Sequence, residues 1–172
     1  LARSRGLGDV YKRQILSEES LIEWKERKTW NSYWLIDPLD GTKEFIKKNG
    51  EFTVNIALIK NNSPIFGIIY APAKSLLYYA LKNNGAYKLI TESNIETTKD
   101  FIKINSVKEK SNLTKVIGSR SHSNKDFDNW INDNCNNFEL IQIGSSLKFC
   151  YLAESKANIY PRIGPTSEWD IA

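Results

Sequence analysis

The stretch "WLIDPLDGTKEF", residues 34–45, sets two carboxylates, Asp37 and Asp40, on either side of a Pro-Leu pair. It lies where an apolar run ends and a helix opens. Acids this close repel each other unless something positive sits between them. Pro38 restricts the turn so that both carboxylates can face one point, and the Leu39 carbonyl offers a third oxygen. Oxygen-only donors are what a hard cation such as Mg²⁺ prefers. Gly41 and Thr42 follow at the helix start, where backbone N–H groups can cradle a phosphate. Aspartates also cap ordinary turns and helices, so this spacing alone leaves both readings open. Two further acidic groups at turns shift the weight: Glu18-Glu19 after a short apolar strand, and Asp170 beside Trp169. The three clusters could converge on one or two metal ions.

Positioning those groups is the task of the surrounding elements. "ILSEES" reads as a short strand running into a turn, "SLIEWKERKTW" as an amphipathic helix, and "SYWLID" as a buried strand that Pro38 ends, because proline cannot donate to a ladder. "GTKEFIKKN" reads as a short helix closed by Asn49-Gly50. "EFTVNIALIK", "PIFGIIYAPA", "SLLYYALKN" and "GAYKLI" are rich in β-branched and aromatic residues and separated by turn signals, the pattern of an antiparallel meander. "FIKIN" adds one more short strand. "TKVIGSRSH", "FELIQIG" and "ANIYPRI" read as strands alternating with helices at "NKDFDNWINDN" and "SSLKFCYLAESK", and Trp169-Asp170 opens another helix. Hairpins followed by strand-helix alternation predict an α+β fold of mixed layers.

Bulk composition narrows the classes. The 172 residues, 41% hydrophobic and 26% charged, fit an ordinary globular chain. No apolar run approaches the length of a membrane span. The net charge of +4 is concentrated in residues 1–14, where Arg3, Arg5, Lys12 and Arg13 face only Asp9. This basic leader reads as a non-native scar outside the fold, and no nucleic-acid partner is inferred from it. Cys135 and Cys150 lack metal or disulfide spacing and read as buried, reduced thiols. His122, the one histidine, lies in "SRSHSN". A Ser121-His122-Asp126 triad is disfavoured, because sequence neighbours rarely converge, and a polar loop residue near substrate is the better reading.

Taken together, "LSEES", "YWLIDPLDGTKEFIKKNGEFTVNIALI", "GIIYAPA", "SRSH", "GSSLKFCYLAE" and "YPRIGPTSEWD" resemble the 3'(2'),5'-bisphosphate nucleotidases of the CysQ type, within the lithium-sensitive inositol monophosphatase superfamily. The resemblance runs from about residue 15 to the last residue. It implies the layered sheets and helices of that fold. It implies Mg²⁺ held by Glu18, Asp37, the Leu39 carbonyl, Asp40 and Asp170, with Gly41 and Thr42 on the scissile phosphate and the Thr42 hydroxyl orienting the attacking water. Glu19 would stand behind the metal ligands or in solvent. The implied reaction is hydrolysis of adenosine 3',5'-bisphosphate to AMP and phosphate in sulfur metabolism, with the sulfated nucleotide PAPS as a second substrate. Two anionic groups on one nucleotide call for separated cations, for which Arg120, Lys148 and Arg162 are candidates. Gly144, Ser145 and Ser146 would let the nucleoside lie close to backbone, and Asp170 would touch substrate as well as metal.

Relatives in that family carry helices before the LSEE motif and further elements after the WD motif. Residues 15–172 are accordingly expected to be the central part of a phosphatase domain, truncated at both ends, with exposed apolar faces. The expected setting is the cytoplasm, with attachment to the inner membrane's cytoplasmic face left open, as is the oligomeric state. Two alternatives are weighed: an inositol monophosphatase or fructose bisphosphatase-like sugar phosphatase, and a non-catalytic metal- or nucleotide-binding fragment.

Overall fold

The computed structural model describes residues 14–90, 101–106, 112–120 and 125–172. A seven-stranded sheet is built from β1 (Gln14–Ser17), β2 (Ser32–Asp40), β3 (Thr53–Lys60), β4 (Ser63–Ala71), β5 (Leu76–Leu81), β6 (Gly85–Ile90) and β7 (Ile102–Ile104), paired in chain order. β1 runs parallel to β2, and every later pair is antiparallel, so the predicted meander is present. A second, two-stranded parallel sheet joins β8 (Thr114–Ser119) to β9 (Phe138–Ile143), with α3 (Lys125–Asn134) as the crossover. α1 (Trp24–Arg27), α2 (Thr42–Ile46) and α4 (Leu147–Ala153) complete the helices.

Three readings of the sequence need correction. β2 does not stop at Pro38. It continues to Asp40, pairing Asp37 with Asn55 and Asp40 with Thr53, so three steps on β2 oppose two on β3. This is a bulge, and the residue that cannot donate to a ladder sits inside it. The helix expected over residues 20–30 shrinks to the single turn of α1, whose Trp24, like Leu21 before it, is largely exposed. With no buried face, packing adds little to intrinsic propensity, and so short a helix is marginal. "ANIYPRI" forms no strand: Ile159 makes one parallel bridge to Val116, and Pro161 follows two residues later. Gln14, the last residue of the stretch expected outside the fold, opens β1 opposite Tyr33. The rest of that leader, together with His122 and Ser121, lies outside the described residues.

Alternation on β3 points Thr53, Asn55, Ala57 and Ile59 to one buried face. Ala57 and Ile59 join Leu16 and Leu35 in a core against which Ile22, Trp30 and Trp169 pack. Ala71 of β4 meets Ile143 and Leu147, joining the large sheet to β9 and α4. Val116, Ile131 and Cys135 pack α3 on β8. Fully burying a Val, Leu or Ile side chain is worth about 1.5–3 kcal/mol, and the Ala71–Ile143–Leu147 cluster packs the two sheets together. Cys135 and Cys150 are both buried free thiols, as read from the sequence.

Candidate metal centre and anion cleft

In a regular strand, residues three apart point to opposite faces. The bulge at Pro38-Leu39 adds one residue, so Asp37 and Asp40 emerge on the same face of β2. Asp37 is almost wholly buried, and its Oδ1 accepts the Leu39 N–H at 3.0 Å. The Oδ2 of Asp40 accepts the Ser146 N–H at 2.5 Å, the Asn55 amide at 3.4 Å and the Thr53 hydroxyl at 3.5 Å. Asp170 reaches the same place from 130 residues away, on a 3₁₀ turn, Glu168–Asp170. Its Oδ2 accepts the Ser167 N–H at 2.9 Å in a capping box. Trp169 plugs into the β1–β3 core, and Arg27 grips both carboxylate oxygens of Glu168 at 2.8 Å. These anchors bring one carboxylate oxygen each of Asp37, Asp40 and Asp170 within 4.8 Å of one another.

So much negative charge in a dry corner is unfavourable as it stands. Burial, then the neighbouring Asp40 charge, pushes the Asp37 carboxyl up to about 7, against the Leu39 N–H that favours its ionised form; Glu18, hydrogen-bonded to Asp37, adds to the rise. Burial also raises Asp40, offset in part by Lys148 and the Ser146 N–H. The donor set fits a hard divalent cation: three carboxylates, no nitrogen or sulfur, and oxygens that small rotations would bring within the roughly 4.2 Å a bond length of about 2.1 Å allows. Such an ion would relieve the repulsion that raises both aspartates.

Beside the cluster opens a cleft of about 260 Å³, lined on one wall by residues 40–44, which include Lys43 and the buried Glu44, and on the other by Ser119, Gly144, Ser145, Lys148 and Arg162. Gly41 is left-handed (φ +89°), and an added Cβ would lie 3.1 Å from the Ser145 Cβ and 3.2 Å from the Glu51 carbonyl oxygen. Lys148 is buried, and burial lowers its pKa against the opposing pull of Asp40; its Nζ lies 5.7 Å from the Tyr160 ring centroid. Arg162 donates to the Thr166 hydroxyl at 2.9 Å and the Tyr160 hydroxyl at 3.2 Å, and approaches Asp170 at 3.6 Å. The acidic cluster therefore adjoins a cleft whose lining carries Lys43 as well as Lys148 and Arg162, the last two meeting at Tyr160.

The match to the inositol monophosphatase family model runs over residues 7–172. The chain belongs to the inositol monophosphatase family. Within this family it is 44% identical over 158 residues to the 3'(2'),5'-bisphosphate nucleotidase CysQ of Salmonella typhimurium, covering 92% of this chain and 60% of that protein. It is 48% identical to the CysQ of Buchnera aphidicola, covering 92% and 56%. The crystal structure of CysQ from Bacteroides thetaiotaomicron superposes with a TM-score of 0.82 at 41% identity, over 94% of this chain and 64% of that one. The chain thus spans about 60% of the length of the curated relatives it matches. No helix among the described residues is long and apolar enough to cross a membrane.

Against the sequence-derived list for this inositol monophosphatase family member, the structure brings Asp37, Asp40 and Asp170 together. It leaves Glu18 on the exposed rim, bonded to Asp37 but outside the tightest group. Glu19 is exposed, as is Thr42 at the mouth of the cleft. Ser146 is buried, its hydroxyl 2.7 Å from both Thr53 Oγ1 and Asn55 Oδ1. Arg120 does not line the cleft: its guanidinium pairs with Glu51 at 2.8 and 3.0 Å. Thr53, Asn55, Glu51 and Tyr160 went unnoticed in the sequence. Two polar residues at inward positions of an otherwise apolar β3 were the signal, because buried polar side chains need partners.

Gly144 packs more tightly still. An added Cβ would lie 2.5 Å from the Glu44 Cγ and 2.9 Å from the Glu51 carbonyl oxygen. Gly144→Ala is therefore expected to destabilise the fold by about 1–3 kcal/mol, as overpacking does, read as a lower denaturant midpoint at unchanged m-value.

Proposed function

We propose that the whole protein is a Mg²⁺-dependent 3'(2'),5'-bisphosphate nucleotidase that releases the 3'-phosphate of adenosine 3',5'-bisphosphate as inorganic phosphate, leaving AMP, with PAPS as a second substrate. The observation that carries this reading is the convergence of Asp37, Asp40 and Asp170 within 4.8 Å beside a cleft bearing Lys148 and Arg162. The likeness to CysQ nucleotidases supports the choice of nucleotide over inositol phosphate. The setting we propose is the cytoplasm.

Asp37, Asp40, Asp170, Glu18 and the Leu39 carbonyl would hold the cation. When bound, it supplies Lewis-acid neutralisation of phosphoryl oxygens and eases deprotonation of water. Gly41 and Thr42 would hold the scissile phosphate, with the Thr42 hydroxyl orienting water for attack in line with the departing ribose oxygen. Lys148 and Arg162 would hold the second phosphate, a point charge and a planar fork on one wall. Fixing the nucleotide at two anionic ends is how the site gains orientation, and misplacement by about 1 Å can cost roughly 10²-fold in rate.

The test is phosphate release from adenosine 3',5'-bisphosphate and from inositol 1-phosphate, with Mg²⁺ and with chelator. The expected result is cation-dependent turnover with kcat/KM at least about tenfold higher for the nucleotide, the factor that roughly 1.4 kcal/mol of added anchoring provides. Equal rates on both substrates, or undiminished rates in chelator, would refute it.

A further inference from the structure

Glu51 lies in the loop between α2 and β3, on the wall that carries Asp40 and Gly41. Its carboxylate is nevertheless committed to the opposite wall. Oε2 accepts both the Arg120 Nε–H and the Gly144 N–H at 2.8 Å, and Oε1 accepts the Arg120 Nη2–H at 3.0 Å. Arg120 follows β8 and Gly144 follows β9, so one side chain ties together three segments that are distant in sequence. The same Arg120 Nη2 also donates to the Gln142 carbonyl at 2.7 Å, which fixes the guanidinium plane. The Glu51 backbone oxygen fills the space where a Cβ on Gly41 or Gly144 would stand, at 3.2 and 2.9 Å. The two walls of the cleft meet at this residue.

Neither Glu51 nor Arg120 lines the cleft, and neither is among the three converging carboxylates. Their effect on chemistry must be transmitted. The path is short: two residues after Gly144, the Ser146 N–H orients Asp40, and two residues further Lys148 enters the cleft. We propose that Glu51 is a positioning residue that sets the spacing between the acidic cation site and the Lys148–Arg162 wall, acting through Arg120 and the Gly144 N–H. The role assigned to Arg120 is then to hold Glu51 rather than to hold substrate. The chain pairs a bidentate Arg–carboxylate contact, the geometry with the most directional control, with a glycine that allows the backbone to approach.

This inference rests on the proposed nucleotidase reading for its substrate and is tested in two ways. The first readout is hydrogen exchange in residues 143–148. Glu51→Gln keeps an amide oxygen for Gly144 but loses the charged fork. Exchange there is expected to speed up by roughly tenfold, the factor set by losing a hydrogen bond to a charged group, while α3 is unchanged. Unchanged exchange in this turn would overturn the inference whether or not the protein turns over nucleotide.

The second readout is kinetic. With adenosine 3',5'-bisphosphate, which spans both walls, Glu51→Gln should raise KM by roughly tenfold and lower kcat by less. With adenosine 3'-monophosphate, KM should shift by about twofold or less. Glu51→Gln, Arg120→Gln and the double variant should show equal KM, because partners in one contact are not additive. Additive losses would assign Arg120 to direct phosphate binding and refute the positioning role. Absence of wild-type turnover would refute the nucleotidase reading and leave the exchange result to judge Glu51.

Discussion

In the proposed nucleotidase, Asp37→Asn is expected to lower Mg²⁺-dependent phosphate release by roughly 10³-fold while making the metal-free protein more stable. The two effects have one cause. Asp37 is buried at 1% exposure beside Asp40, with Glu18 bonded to it, and this crowding carries its pKa up to about 7. Asparagine keeps the shape and an oxygen for the Leu39 N–H, and removes the charge that Asp40 opposes. On the proposed reading the cation would then lose a ligand, and with it several kcal/mol of transition-state stabilisation, each 1.36 kcal/mol being tenfold in rate. Thermal melts in chelator should give a higher Tm for the variant than for wild type, and melts in Mg²⁺ a smaller metal-induced rise. A variant that loses activity and metal-free stability together would mean that Asp37 serves its structural partners rather than a bound cation.

The readability of this site in the sequence follows from how local its parts are. The DPLDGT turn, its two aspartates and its glycine lie within six residues, and residue type was enough to suggest a cation and a phosphate. A turn at Pro38 is the sequence's reason for both to face one point, but the cause differs, since β2 runs on to Asp40 and a spacing of three in a regular strand gives opposite faces. Only the bulge opposite Asn55 and Thr53 turns Asp40 inward. Asp170 depends on contacts invisible to any window: Trp169 in the β1–β3 core and the Arg27–Glu168 pair across 141 positions. Arg120 illustrates the opposite failure. An arginine at a strand end suits a phosphate as well as it suits a carboxylate, and only the fold shows Glu51 waiting for it. The hairpins were legible because alternation and turn residues are short-range signals. The helix over residues 20–30 was not, because apolar spacing does not reveal which residues will reach a core: Ile22 and Trp30 do, Leu21 and Trp24 do not.

Cation affinity and metal-free stability should depend on pH in opposite directions across the same window. Asp37 titrates near 7 in the metal-free fold, against an unfolded carboxyl of about 3.9. A raised folded pKa means that the native state binds the extra proton between these values. Its contribution to stability is complete below the unfolded pKa and is lost as pH rises through about 7. Asp40, also raised, adds to this trend. Ligation needs the ionised carboxylate, so Mg²⁺ affinity should fall about tenfold for each unit below about 7 and level off above it, with close to one proton released per ion on the acid side. At the acid extreme the sign reverses. For Glu51 and Glu154, burial works to raise the pKa but is outweighed by their partners, Arg120 and the Gly144 N–H for one, Tyr78, Lys156 and Lys88 for the other. Stability from those pairs is lost as pH falls through their lowered folded pKa values. Metal-free stability should therefore peak just above the ordinary carboxylate range and decline toward neutrality, where added Mg²⁺ restores most. Melts from pH 4 to 8 with and without the ion, and calorimetric titrations in buffers of different ionisation enthalpy to count the released proton, check both halves. A metal-free Tm that climbs steadily to pH 8 would show that the acidic corner is not strained by its own charge.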